Sequence, residues 1–126
     1  MSNFIRVLFV EDRVDIAEDL KVIYDNQQCK FDIAHTVDQA LQMIDEAHSI
    51  SNYYHLVITD YDMPVKNGDT ILIYLSRNFP FVTKALYSAH YGKVNHLLYD
   101  HFITKDYVGH IGIGKLIEDS IDQILA

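Results

Sequence analysis

Only one cysteine, Cys29, occurs in the 126 residues. An internal disulfide framework is therefore excluded, and the composition fits a reducing compartment. At the head of an apolar run, Cys29 reads as a small, half-buried strand residue. No apolar run approaches the roughly 18 residues that a bilayer-spanning helix needs, so no membrane insertion is expected. The N-terminus enters its first apolar run directly, without a basic leader or a small-residue cleavage site, and a cytoplasmic location follows. Basic runs are lacking too. With 18 acids against 10 Lys and Arg the net charge is −8, and such a surface repels a phosphate backbone. Direct binding of nucleic acid is not expected. There is no internal repeat, low-complexity tract or interdomain linker. The length suits one domain, residues 1–126, with its own core and no attached output domain.

What is present is alternation. Strand-like apolar runs are centred near Leu8, Ile33, Ile58, Leu86 and Ile103. Between them lie segments of helical period. Ile16, Leu20, Ile23 and Tyr24 mark the first, ending before residues 26–28. Val37, Ala40, Leu41 and Ile44 mark the second, where Thr36 and Gln39 have the spacing of a capping box. Ile71, Leu72 and Leu75 mark the third, after the turn-forming Asn67-Gly68. Val94, Leu97 and Leu98 suggest a short fourth helix. Ile113, Leu116, Ile117, Ile121 and Ile124 mark the last, with glycines weakening its first turn. Strand–helix repeated five times implies right-handed crossovers and a parallel sheet covered on both faces. The expected fold is α/β, a flavodoxin-like (βα)5 doubly wound sheet of strand order 2-1-3-4-5. Its switch point lies between strands one and three.

The chemistry sits where the runs stop. Residues 4–10 stop at Glu11-Asp12, 56–59 at Asp60, 85–87 at Ser88, and 102–104 at Lys105. In a parallel sheet these ends lie side by side, and ligands bind in the crevice outside them. Three carboxylates gathered there repel. At about 4 Å and an effective dielectric near 20, each pair costs on the order of 4 kcal/mol. A cation relieves such a cluster, and oxygen-only ligands point to Mg2+, with Mn2+ as a substitute. A lysine from the fifth strand would neutralise the remaining charge and hold a phosphoryl oxygen. Ser88 could donate to another oxygen of the same group. Metal, carboxylate nucleophile, lysine and hydroxyl together describe phosphoryl transfer to an aspartate.

Over essentially its whole length the chain resembles the receiver domains of bacterial two-component response regulators. The resemblance is carried by Val10-Glu11-Asp12, by Asp60-Tyr61-Asp62-Met63-Pro64 with Gly68 four residues on, by Ser88-Ala89, and by Phe102-Ile103-Thr104-Lys105. It implies that Asp60 accepts a phosphoryl group from a histidine kinase, a phosphotransfer protein or a small phosphodonor. It also implies that Asp12 is the principal metal-binding acid, with Glu11 acting largely through water. The backbone carbonyl of Asp62 would complete the protein's share of the Mg2+ shell. Ser88 would move to the new phosphoryl group, Lys105 would pair with it, and Phe102 would turn inward as the switch. From residues alone, Phe102 is equally an ordinary core aromatic, and Glu11 equally a solvated acid.

The family's chemistry is self-phosphorylation and self-dephosphorylation, not turnover of a metabolite. The side chains of Asp62 and His90 would tune the phosphoryl lifetime. Output would pass to a downstream partner or a homodimer through the fourth helix, fifth strand and last helix, with Tyr91, Val94, Leu97, His101 and Tyr107 as the surface. The sequence departs from the family in two places. Asp106 follows Lys105 where the family usually has proline, and residues 97–101 replace a glycine-containing turn. Two alternatives stand beside this reading. One is a haloacid-dehalogenase-like phosphatase using the D-x-D pair Asp60 and Asp62; the other is a degenerate receiver that binds partners without phosphorylation. The remaining histidines lack the paired spacing of a zinc motif.

Overall fold

In the computed structural model, which describes residues 3–105 and 109–125, each apolar run becomes a strand. They are β1 (Ile5–Val10), β2 (Cys29–Ala34), β3 (Leu56–Asp60), β4 (Thr83–Ser88) and β5 (His101–Thr104). All four pairings are parallel, in the order β2-β1-β3-β4-β5. The helices are α1 (Val14–Tyr24), α2 (Val37–Ser49), α3 (Asp69–Asn78) and α4 (Gly109–Leu125). This is the expected flavodoxin-like sheet, with four α-helices among the described residues rather than five.

Strand periodicity explains the two layers. Ile5, Val7 and Phe9 of β1 point to one face and pack with Ala17 and Leu20 of α1 and with Ile113, Leu116 and Ile117 of α4. Leu8 and Val10 point to the other, against Ala40, Ile44 and Ala47 of α2 and Ile71 and Leu75 of α3. Successive side chains alternate across a strand, so a strand covered on both faces reads as one unbroken apolar run. Cys29 is fully buried at the start of β2, where burial first, then the charges of Asp25 and Asp32, push its thiol up to about 12.

Local signals set the helix ends. Thr36 accepts from the Gln39 N–H at 3.0 Å, while the Gln39 side chain accepts from the His35 N–H at 2.8 Å. The box therefore closes one residue earlier than the sequence spacing implies. Ile23, expected on the buried stripe of α1, is exposed; the stripe runs through Ala17 and Leu20. In α4, Gly112 and Gly114 are packing residues. A Cβ on Gly114 would come within 2.3 Å of the Tyr24 hydroxyl, which donates to the His110 carbonyl at 3.0 Å.

The fourth crossover corrects the expectation of a helix. Residues 89–100 contain only a single 3-10 turn, His96–Leu98, capped by the Asn95 side chain accepting from the Leu97 N–H at 3.0 Å. Upstream, Gly92 sits at φ 96°, and downstream Tyr99 is already extended toward β5. Too few residues remain between them to repay helix nucleation.

Candidate functional site

The register aligns the strand ends. Val10 pairs with Thr59, Asp60 with Tyr87, and Ser88 with Thr104. Asp60 and Ser88 are thus the last residues of their strands, while Glu11-Asp12 and Lys105 follow theirs. Glu11 is fixed through its main chain: its N–H donates to Ala34 O and its carbonyl accepts from His35 Nδ1, both at 2.9 Å. Among the described residues, Glu11, Asp12 and Asp60 form the one group that could hold a metal ion, each offering an oxygen within 4.8 Å of the others. Glu11 and Asp60 are buried, and Asp12 is half-buried. Asp62 enters the site through its main chain, its N–H donating to Asp60 Oδ1 at 3.1 Å. Its side chain is exposed and pairs instead with Lys93.

Lys105 closes the group. Its N–H donates to Ser88 O at 2.8 Å, which anchors it to β4. Its ammonium then hydrogen-bonds Asp60 Oδ2, lies 3.5 Å from Glu11 Oε1, and sits 5.5 Å from the Tyr87 ring centroid. Burial lowers the Lys105 pKa, but the Asp60 hydrogen bond and the charges of Asp60 and Glu11 outweigh it, and the net shift is upward. For Glu11 burial dominates. Desolvation, then the close approach of the Asp60 carboxylate, lift its carboxyl from 4.5 to about 8, with the Lys105 charge only partly opposing. Neither Glu11 side-chain oxygen receives a hydrogen bond. A buried carboxylate left without donors is costly.

The loop after β3 is shaped around the Asp60 main chain. Thr59 Oγ1 donates to Asp60 O at 2.9 Å, and the Gly68 N–H donates to Tyr61 O at 2.8 Å. A Cβ on Gly68 would lie 1.9 Å from that same Asp60 carbonyl. Glycine is therefore demanded by space, since its φ of −64° is ordinary. Val65 pays for the tight return with φ 71°, an unusual conformation for a β-branched residue.

The Ser88 hydroxyl is buried and tied to the loop that follows, donating to His90 O and accepting from His90 N–H, both at 3.2 Å. His90 is exposed. Phe102 is half-buried against Leu72, Leu86 and Val94, and Tyr91 stands edge-on to it with centroids 5.0 Å apart. Of the candidate partner surface, Tyr91, Leu97 and His101 are exposed. Val94 is buried and must be removed from that surface; Tyr107, like Asp106, lies outside the described residues. Sequence spacing missed three residues here: Thr59, His35 and Lys93. Only Thr59 carried a signal, as the neighbour of the strand-ending acid.

No family model and no curated protein matches the sequence. The fold is another matter. Many solved structures that share it are response regulator receiver domains, and they cover most of the chain. A CheY-like receiver domain protein from Methanospirillum hungatei superposes with TM-score 0.77 at 20% identity, covering 95% of each chain. The receiver domain of HemR from Leptospira biflexa gives 0.77 at 23%, over 93% of this chain and 94% of its own. The response regulator TrrA from Thermotoga maritima, solved with Mg2+-BeF, gives 0.76 at 21%, over 93% and 99%. The chain has the receiver-domain fold, at identities that speak for fold alone. No helix among the described residues is long and apolar enough to cross a membrane.

Proposed function

We propose that this protein is a response regulator receiver that accepts a phosphoryl group on Asp60. The observation that carries the reading is the convergence of Glu11, Asp12, Asp60 and Lys105 at adjacent strand ends, with Lys105 bonded to the proposed nucleophile. The residues suit Mg2+ or Mn2+: the donors are all oxygens, and both Glu11 oxygens lack hydrogen-bond donors. Glu11, Asp12, Asp60 and the carbonyl of Asp62 would hold the ion. When bound, it supplies charge neutralisation for the acids and for the phosphoryl oxygens.

In the transfer itself, an Asp60 oxygen attacks phosphorus while the bond to the donor's histidine nitrogen, or to a small donor's leaving oxygen, breaks. The leaving atom keeps the electron pair; a histidine nitrogen takes a proton from solvent, and a carboxylate leaves as the anion. Lys105 has to exchange its Asp60 contact for a phosphoryl oxygen, and its rigid tether to Ser88 O keeps it within reach. Hydrolysis later returns Asp60 and phosphate. The donor would be a histidine kinase, a phosphotransfer protein or a small phosphodonor. Exposed Val14, Val65 and Ile111, on three segments at this end of the sheet, would offer apolar contact to a protein donor.

For output, Ser88 must leave the His90 main chain to donate to the phosphoryl group, releasing the 89–100 loop and vacating space beside Phe102. Phe102 would follow, changing the surface formed by that loop, β5 and α4 for a downstream partner or a second copy. The test is intact-mass measurement after incubation with acetyl phosphate and Mg2+. One phosphoryl group should be gained, and none in excess EDTA. Steady release of phosphate from many phosphomonoesters would instead support a phosphatase.

A further inference from the structure

The mouth of the site carries an ion pair that the acceptor chemistry leaves unexplained. The ammonium of Lys93 lies 3.9 Å from Asp62 Oδ1 and 5.4 Å from the centroid of the Tyr61 ring. It thus joins the loop after β3 to the loop after β4 across the opening. The local chain is built to place it there. Gly92, at φ 96°, turns the backbone just before it; a Cβ there would meet nothing within 4 Å, so the glycine serves conformation alone. On the other side Val94 is buried with Leu72 and Leu86 and anchors the loop. The ring beneath the ammonium is held in turn, Tyr61 O accepting from Gly68 N–H at 2.8 Å and its hydroxyl from Asn67 Nδ2 at 3.4 Å.

Asp62 is the acid this arrangement serves. Its N–H holds the nucleophile, yet its carboxylate stands outside the metal-binding group and is exposed. Lys105 is committed to Asp60 and Glu11. An uncompensated Asp62 would therefore face any phosphodonor, which is itself an anion, on a chain of net charge −8. We propose that Lys93 is a positioning residue that pins and neutralises the Asp62 carboxylate at the mouth, so that an anionic phosphodonor can reach Asp60. The inference rests on the receiver reading and adds to it a cation beyond the strand-end lysine.

The experiment measures the rate constant for labelling by acetyl phosphate with Mg2+, for the unmodified protein and for Lys93→Met, Lys93→Arg, Asp62→Asn and the Asp62→Asn/Lys93→Met double variant. Lys93→Met should slow labelling about fivefold at low ionic strength, the scale of one exposed charge at contact range. The deficit should close near 1 M salt, where screening acts within about 3 Å. Lys93→Arg should keep the original rate. In the Asp62→Asn background, Lys93→Met should change the rate by less than about twofold. Equal rates for Lys93→Met and the unmodified protein at low salt would overturn the proposal. So would a deficit that persists undiminished in salt or with Asn at position 62. Because Lys93 is exposed, urea midpoints should match across the Lys93 variants; a shifted Lys93→Met midpoint would assign the residue a structural role instead. Failure of the unmodified protein to label would overturn the receiver reading, and this inference with it.

Discussion

Replacing Glu11 by glutamine keeps the shape of a fully buried side chain and removes its charge. Burial and the neighbouring Asp60 raise the Glu11 carboxyl from 4.5 to about 8 in the folded protein. Between those values the native state holds a proton that the unfolded chain has released. The slope of unfolding free energy with pH follows protons bound unfolded minus native, so it is negative there, and stability falls as pH rises. A full proton difference costs about 1.4 kcal/mol per pH unit, and a shift of this size totals on the order of 4 kcal/mol across the window. Glutamine does not titrate. The two proteins should therefore be of similar stability near pH 4.5, with Glu11→Gln the more stable by a few kcal/mol at pH 8 in EDTA. Every other titrating group is common to both, so their difference reports Glu11 together with the Asp60 and Lys105 charges coupled to it. Urea unfolding at pH 5, 6, 7 and 8 measures it. Adding Mg2+ at pH 8 should recover stability in the unmodified protein more than in the variant. A difference that does not change with pH, or a variant less stable at pH 8, would refute the argument from burial.

Gly68→Ala forces a Cβ onto the Asp60 carbonyl and should cost about 3 kcal/mol or more in urea unfolding; a loss under about 1 kcal/mol would show that the loop moves freely. Val65→Gly releases the left-handed strain of an exposed valine and should be stabilising by about 1 kcal/mol, read from the thermal midpoint. Ser88→Ala should still take up a phosphoryl group, but beryllofluoride should no longer alter amide exchange in residues 88–105. In the unmodified protein it should, and changes confined to residues 60–68 would argue against the switch.

The sheet was legible because burial on both faces makes the inner strands mostly apolar, edge strand β2 still alternating through Cys29, Phe31 and Ile33, and all five run centres fall inside observed strands. The positions of Asp60, Ser88 and Lys105 were legible for the same reason, since strand ends in a parallel sheet must converge. The fourth crossover was not. Val94, Leu97 and Leu98 have helical spacing, but Val94 faces the core while Leu97 is 77% exposed, and the turn at Gly92 decides the chain path before any helix can start. Glu11 was equally silent, because a solvated acid and a buried one are the same letter. Its main chain is held by Ala34 at the end of β2 and by His35 just after it, partners far away in sequence. Lys93 reaches Asp62 across two loops whose approach depends on that unhelical path, which no spacing rule encodes.

The central claim is that Asp60 is the acceptor, and locating the modification tests it most directly. After labelling with acetyl phosphate and Mg2+, borohydride reduction converts an aspartyl phosphate to homoserine, which peptide mass spectrometry places at one position. The modification should fall at residue 60 alone, and Asp60→Asn should remain unlabelled. Homoserine at any other position, or full labelling of Asp60→Asn, would contradict the account.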